Sequence, residues 1–333
     1  MSIGGSTLSQ SIWKSQPYKG LIFIVLIAVV SWIFEILLGQ VLRLDVTAKL
    51  IYITIFFVWW WHLGFSLNGY PGNRFFSTRI GRGSINLVVL LVLSYLTGEV
   101  WKYISTKANL ADTSVGLWGQ TAIVAAAASL FFFDNTIVTT NRIRNWHPIS
   151  GFLNIFFAVF FVAPALTFLP QLWGLQPFYI PWYWYPTSTV FGSFFERWPI
   201  SKLDLEQPRL GLIHTGAVIL LTLLMALFLK QAGIDLFTTT TGPIFAAIWT
   251  TVGLGLLWQF NLWPFTHLAQ PTKGIVASIT SLVITIGFYL LTVALFSQDL
   301  TQGLYWWFNI LWVQVFLMAP GLYDGISLWQ SDP

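Results

Sequence analysis

Apolar runs of about twenty residues, the length that crosses a bilayer as a helix, recur along the chain with short polar breaks between them. Clear runs cover 21–39, 47–67, 84–103, 116–134, 150–170, 210–230, 242–262, 274–296 and 303–319. Lys14 and Lys19 precede the first run, as in a secretory leader. However, Gly39-Gln-Val-Leu-Arg43 lacks a small-residue cleavage pattern, so the run is expected to be a permanent helix. The stretch 176–196 is less plain, because Pro177, Pro181 and Pro186 break or kink helices.

The pattern repeats. Glycine opens an apolar run at Gly20-Leu-Ile-Phe23, Gly83-Ser-Ile-Asn86, Gly151-Phe-Leu-Asn154, Gly211-Leu-Ile-His214 and Gly274-Ile-Val-Ala277, with gaps of 63, 68, 60 and 63 residues. Each gap holds two spans and two loops, a helical hairpin. The second helix of several hairpins ends in a related signature: Phe65-Ser-Leu-Asn-Gly-Tyr-Pro71, Phe195-Glu-Arg-Trp-Pro199 and Phe260-Asn-Leu-Trp-Pro264. A looser version is Phe133-Asp-Asn135 with Trp146-His-Pro148. Second helices also start alike, at Asp45-Val-Thr47, Asp112-Thr-Ser114, Thr238-Thr-Thr-Thr-Gly-Pro243 and Asp299-Leu-Thr301, where acids and hydroxyls can satisfy first-turn N–H groups.

If equivalent ends face the same side, 176–196 must cross as a tenth span. Charge agrees. With ten spans, Lys14, Lys19, Arg74, Arg79, Arg82, Arg142, Arg144, Arg197, Lys202, Arg209 and Lys273 share one side, against Arg43, Lys49, Lys102, Lys107 and Lys230, a split of 11 to 5. With nine spans the split is 8 to 8. Positive loops favour the cytoplasm. The expectation is therefore an all-α integral membrane protein: one transmembrane domain over 1–333, a ten-helix bundle of five tandem hairpins at about 20–71, 83–148, 151–199, 211–264 and 274–320. Both termini are expected to be cytoplasmic, in the cytoplasmic (inner) membrane.

Composition sharpens this picture. Charged residues are 8% of the chain, against about 25% in a soluble protein, which excludes a soluble globular domain. The basic balance reports orientation rather than nucleic acid. The 19 tryptophans gather near helix ends, as interfacial belts do. With 0 cysteines there is no disulfide, thiol chemistry or cysteine-held cluster. No metal-site, nucleotide-binding or hydrolase motif occurs.

Ionisable groups inside a membrane mark function by default. Glu35 lies deep in the first run; it either couples to a substrate or proton, or pairs with Arg43, Lys49 or Lys102. Asn86, Asn154 and His214 share one repeat position, and Asp134 and Glu196 share another with Asn261. They form either an interhelical hydrogen-bond ring or a polar vestibule. His62 and His214 are the residues through which a b-type haem would be held; no cofactor is expected otherwise, though a quinone fits the same class of subunit. Tyr179 and Trp182 to Tyr185 form an aromatic platform or, through Tyr183, Tyr185 and Thr187, a ligand site at a broken helix.

Internal repeats, the Pro-broken central hairpin and isolated intramembrane acids point to a transporter or permease-like protein for a small solute or lipid-like molecule. The alternatives are a membrane-embedded enzyme or redox subunit acting on lipid, isoprenoid or quinone, and a non-catalytic assembly subunit. The expected partners are the bilayer, a small solute or lipid-like ligand and a membrane protein partner, with no nucleic acid.

Overall fold

The computed structural model describes residues 16–61, 63, 67, 70–108, 122, 149–157, 161–162, 186–231 and 241–318. Asp134, His62, the span 116–134 apart from Ala122, and the aromatic run 178–185 lie outside these, as does the side chain of Asn154. The main elements are α1 (Tyr18–Glu35), α2 (Val46–Trp61), α3 (Arg79–Ala108), α4 (Ile149–Phe157), α5 (Arg209–Gln231), α6 (Thr241–Leu254), α7 (Thr272–Leu295) and α8 (Leu300–Met318). No strand occurs among the described residues. Five stretches are long and apolar enough to cross a membrane: Tyr18–Val41, Ile80–Val100, Arg209–Gln231, Thr241–Gln259 and Thr272–Leu295. They mark the chain as a helical membrane protein.

These helices take two kinds of place. In α6, 61% of the apolar window is covered by the rest of the protein, against 17% to 28% in the other four. Residues Gly242 to Thr251 of α6 are buried on every side, as for a helix apolar all round and set in a core. It packs on α7 and α8, and α8 packs in turn on α1 and α2. The helices α1, α3, α5 and α7 each bury a single stripe, such as Gly20, Phe23, Ile27 and Ser31, or Gly274, Ala277, Ser281 and Thr285. Their other faces expose Val25, Trp32, Val88, Leu220, Leu227, Val283 and Leu291. In water such a belt would aggregate; in lipid it is solvated.

Helix ends follow the chemistry of orphan backbone groups. Asp45 Oδ1 accepts the Ala48 N–H (2.7 Å) and Asp299 Oδ1 accepts the Thr301 N–H (3.0 Å), the caps expected of those residues. The far ends of α1 and α6 widen into π-helical turns at Ile36–Val41 and Gly255–Gln259, and a third covers Val190–Phe194. The last two are followed by matching left-handed pairs, Glu196 and Arg197 (φ 52° and 60°) and Asn261 and Leu262 (φ 50° and 56°). Left-handed conformation costs a non-glycine residue about 1–2 kcal/mol. Here it lets Arg197 N–H reach the Phe191 carbonyl (3.1 Å) and Leu262 N–H reach that of Leu256 (2.7 Å), closing carbonyls that the helix end would leave open.

Each of these turns delivers a phenylalanine to a repeat glycine. A Cβ on Gly274 would stand 2.5 Å from the Phe195 ring, and one on Gly20 would stand 2.5 Å from the Phe260 ring. Beside them, Gln270 Nε2 donates to the Phe194 carbonyl and Gln16 Nε2 to the Gln259 carbonyl, both at 2.7 Å. Glycine opens these runs because an aromatic ring occupies the place of its side chain. We call this the proline end of the bundle, after Pro199, Pro264 and the helix-opening Pro17, Pro208 and Pro271; α1 runs from it to the opposite, hairpin end.

Candidate functional site

Glu35 lies 15 residues beyond Gly20 along α1, about 22 Å from the proline end at 1.5 Å per residue. Its partner is Lys49, the residue in the first turn of α2 placed there by the Asp45 cap. Lys49 Nζ stands 2.7 Å from Glu35 Oε1, and the two side chains are 10% and 25% exposed. Lys49 is thus an ion-paired helix residue. The second carboxylate oxygen, Oε2, accepts a hydrogen bond from the Tyr305 hydroxyl of α8. The Lys49 ammonium also lies 5.0 Å from the centre of the Tyr305 ring, a cation–π contact.

Gly39, in the π-helical turn, makes room for this group. A Cβ there would stand 2.9 Å from Lys49 Nζ and 3.1 Å from Glu35 Oε1. Toward the proline end the same seam continues. Asn309 Nδ2 donates to the Ser31 carbonyl (2.9 Å), and Trp312 Nε1 donates to Asn309 Oδ1 (3.0 Å). Glu35 with Tyr305 and Ser31 with Asn309 are successive turns of two antiparallel helices. Both oxygens of the acid are engaged, so the site is a closed carboxylate–ammonium–phenol set with protons on both sides of one carboxylate.

A cavity of about 330 Å³ opens beside this set, lined by residues of α1, α2, α3 and α8. That volume falls within the range of small-molecule pockets, about 300–1,000 Å³. Phe34, Tyr52, Phe56, Tyr95 and Trp312 supply aromatic walls, with Trp312 edge-on to Phe34 (4.4 Å) and Phe56 (4.6 Å). The rest of the lining is Leu or Ile, except Ser94. Leu37, Leu42, Leu91 and Tyr95 are exposed on the outer surface of the bundle, so the cavity meets the lipid sideways between α1 and α3.

The other expected site residues are dispersed. Asn86 is fully buried on α3, where its Oδ1 accepts the Gly72 N–H (2.9 Å). His214 is fully buried on α5, edge-on to Phe191 at 6.0 Å. The two share a repeat position, and so do the buried Phe23 and Ala277; the position marks a buried face rather than one chemistry. Glu196 is at the proline end, 56% exposed and paired with Lys273, so it and Glu35 lie at opposite ends. Thr187 Oγ1 contacts Thr222 Oγ1 of α5 (2.7 Å). Tyr305, Asn309, Trp312 and Ser94 were not expected from sequence. Ser94 had a signal: Ser31, Ser94, Thr222 and Thr285 each stand eleven residues after a repeat glycine. Comparison with protein families, curated proteins and solved structures finds no match.

Proposed function

We propose that the chain is a multi-pass membrane carrier for a neutral, lipid-like molecule, which enters sideways between α1 and α3 and whose passage depends on the Glu35–Lys49 pair. One observation carries this reading: an apolar cavity open to the bilayer shares helices α1, α2 and α8 with a buried carboxylate–ammonium–phenol set. Neither half is informative alone. Lipid-filled grooves are common, and a buried ion pair is weak evidence for stability or function by itself. Together they support a carrier in which a charged pair and a place for a passenger share the same helices, and intramembrane ionisable groups are functional by default.

The architecture under this reading is ten crossings in five hairpins. Its support is the recurrence of one joint. Gly20 of the first hairpin receives Phe260 of the fourth, and Gly274 of the fifth receives Phe195 of the third. The first and last hairpins also meet directly, along the α1–α8 seam. The 11-to-5 division of basic residues supports cytoplasmic termini in the inner membrane.

The test is exchange of a tail-labelled fluorescent prenol between the leaflets of proteoliposomes. Protein-containing vesicles are expected to exchange it faster than empty ones, with Glu35→Gln changing the rate and its pH dependence. Equal rates with and without protein would refute the carrier reading.

A further inference from the structure

We infer that the cavity beside Ser94 takes a flat, neutral, lipophilic carbonyl compound of the quinone class, with Ser94 Oγ donating a hydrogen bond to the carbonyl. This rests on the reading of the cavity as a binding site and names what it binds.

Ser94 is 5% exposed and its Oγ has no hydrogen-bond partner. In an apolar interior that omission is costly. Ser31 Oγ, at the same repeat position and 1% exposed, is also without a partner, but of the two only Ser94 lines the cavity; most other buried hydroxyls of the described helices are satisfied within their own helix. Thr215, Thr222, Thr250, Thr251, Ser278, Thr285 and Thr292 each donate their hydroxyl to the carbonyl four residues back. Thr222, at the same distance from its repeat glycine as Ser94, also meets the Thr187 hydroxyl. Where Thr222 has a neighbour's hydroxyl, Ser94 has the cavity, and a ligand acceptor completes its bonding.

The lining decides the rest. No charged side chain lines the cavity, so a charged headgroup there would lose its hydration without compensation. Ser94 lies six residues inside Val100, the end of the apolar window, about 9 Å below it at 1.5 Å per residue. Phospholipid headgroups stay at the boundary, whereas a neutral ring carbonyl can sit at this depth. Five of the twelve lining residues are aromatic, and aromatic side chains pack edge-on or offset against flat rings. A saturated chain would use the volume but neither the rings nor the hydroxyl.

The experiment is native mass spectrometry of the protein released from nanodiscs, titrated with a benzoquinone bearing a decyl tail and separately with decylbenzene. The expected result is one quinone per chain, bound more tightly than decylbenzene. Ser94→Ala should weaken the quinone about three- to tenfold, the range for one net hydrogen bond, and leave decylbenzene unmoved. Leu91→Trp, at a position half-exposed to lipid, should fill the cavity and abolish both; gel filtration confirms that each variant is folded. If the two probes bind alike and Ser94→Ala changes neither, while Leu91→Trp still blocks them, the ligand class is wrong and the cavity stands as a site. If Leu91→Trp leaves both bound, the site reading fails as well.

Discussion

Removing one charge of the Glu35–Lys49 pair should cost far more than removing both. Glu35→Gln leaves the Lys49 ammonium, 10% exposed, without its counter-charge. Breaking a buried pair by deleting one partner costs about 3–5 kcal/mol. Glu35 is 25% exposed and Lys49 keeps the Tyr305 ring at 5.0 Å, so the lower end, about 3 kcal/mol, is expected here. At about 2–4 °C per kcal/mol, that lowers the unfolding midpoint by about 6–12 °C. Glu35→Gln combined with Lys49→Met keeps the apolar stem and removes the stranded charge. It should return to within about 1 kcal/mol of the parent, since apolar replacement of a buried pair is often neutral. The assay is the fraction of monodisperse protein surviving a heating series in detergent, at one fixed rate because unfolding of such proteins is irreversible. A Glu35→Gln midpoint within 2 °C of the parent, or a double variant showing the sum of the two singles (about 2 °C or ~1 kcal/mol of additivity error allowed), would refute the reasoning.

Other outcomes follow from the proline end. Gly274→Ala places a methyl 2.5 Å from the Phe195 ring, and overpacking of this kind costs about 1–3 kcal/mol; Phe195→Leu in the same chain should recover part of the loss in the same heating assay. Because the chain has 0 cysteines, Gly20→Cys with Phe260→Cys introduces a clean pair. Phe260 Cγ is 2.9 Å from the Cβ that residue 20 would carry, so the two Cβ atoms are within about 4.4 Å, inside disulfide reach. Oxidation should yield a faster-migrating, internally cross-linked band, and its absence, with the equivalent 274–195 pair forming, would contradict the Gly20–Phe260 joint. Glu196→Gln breaks an exposed pair with Lys273 and should shift the midpoint by less than about 1 kcal/mol, in contrast to Glu35→Gln.

Five apolar spans and the helix starts at Asp45 and Asp299 were legible because they depend on local chemistry: apolar length and an Asp at the cap. The repeat glycines were legible as a pattern, but their reason was not. The phenylalanine that fills each glycine's place comes from another hairpin, 240 residues away for Gly20 and 79 for Gly274. The partner of Glu35 was narrowed to three cations, and geometry selects Lys49. Arg43 sits in a left-handed turn (φ 53°) and is exposed, whereas Lys49 is held in the first turn of α2 by Asp45. Tyr305 was not legible as a partner, since its contact with Glu35 spans 270 residues. The recurrent Gln-Pro at Gln16-Pro17, Gln207-Pro208 and Gln270-Pro271, three residues before each repeat glycine, went unread, although His147-Pro148 keeps the same spacing to Gly151.

The most direct test of the account is mass spectrometry of the small molecules retained by the protein purified gently from its native membrane, beside the Leu91→Trp variant prepared in the same way. The account predicts one defined lipophile at near one per chain in the parent and its loss in the variant. Bulk lipid alone in both, or the same lipophile retained in both, would contradict it.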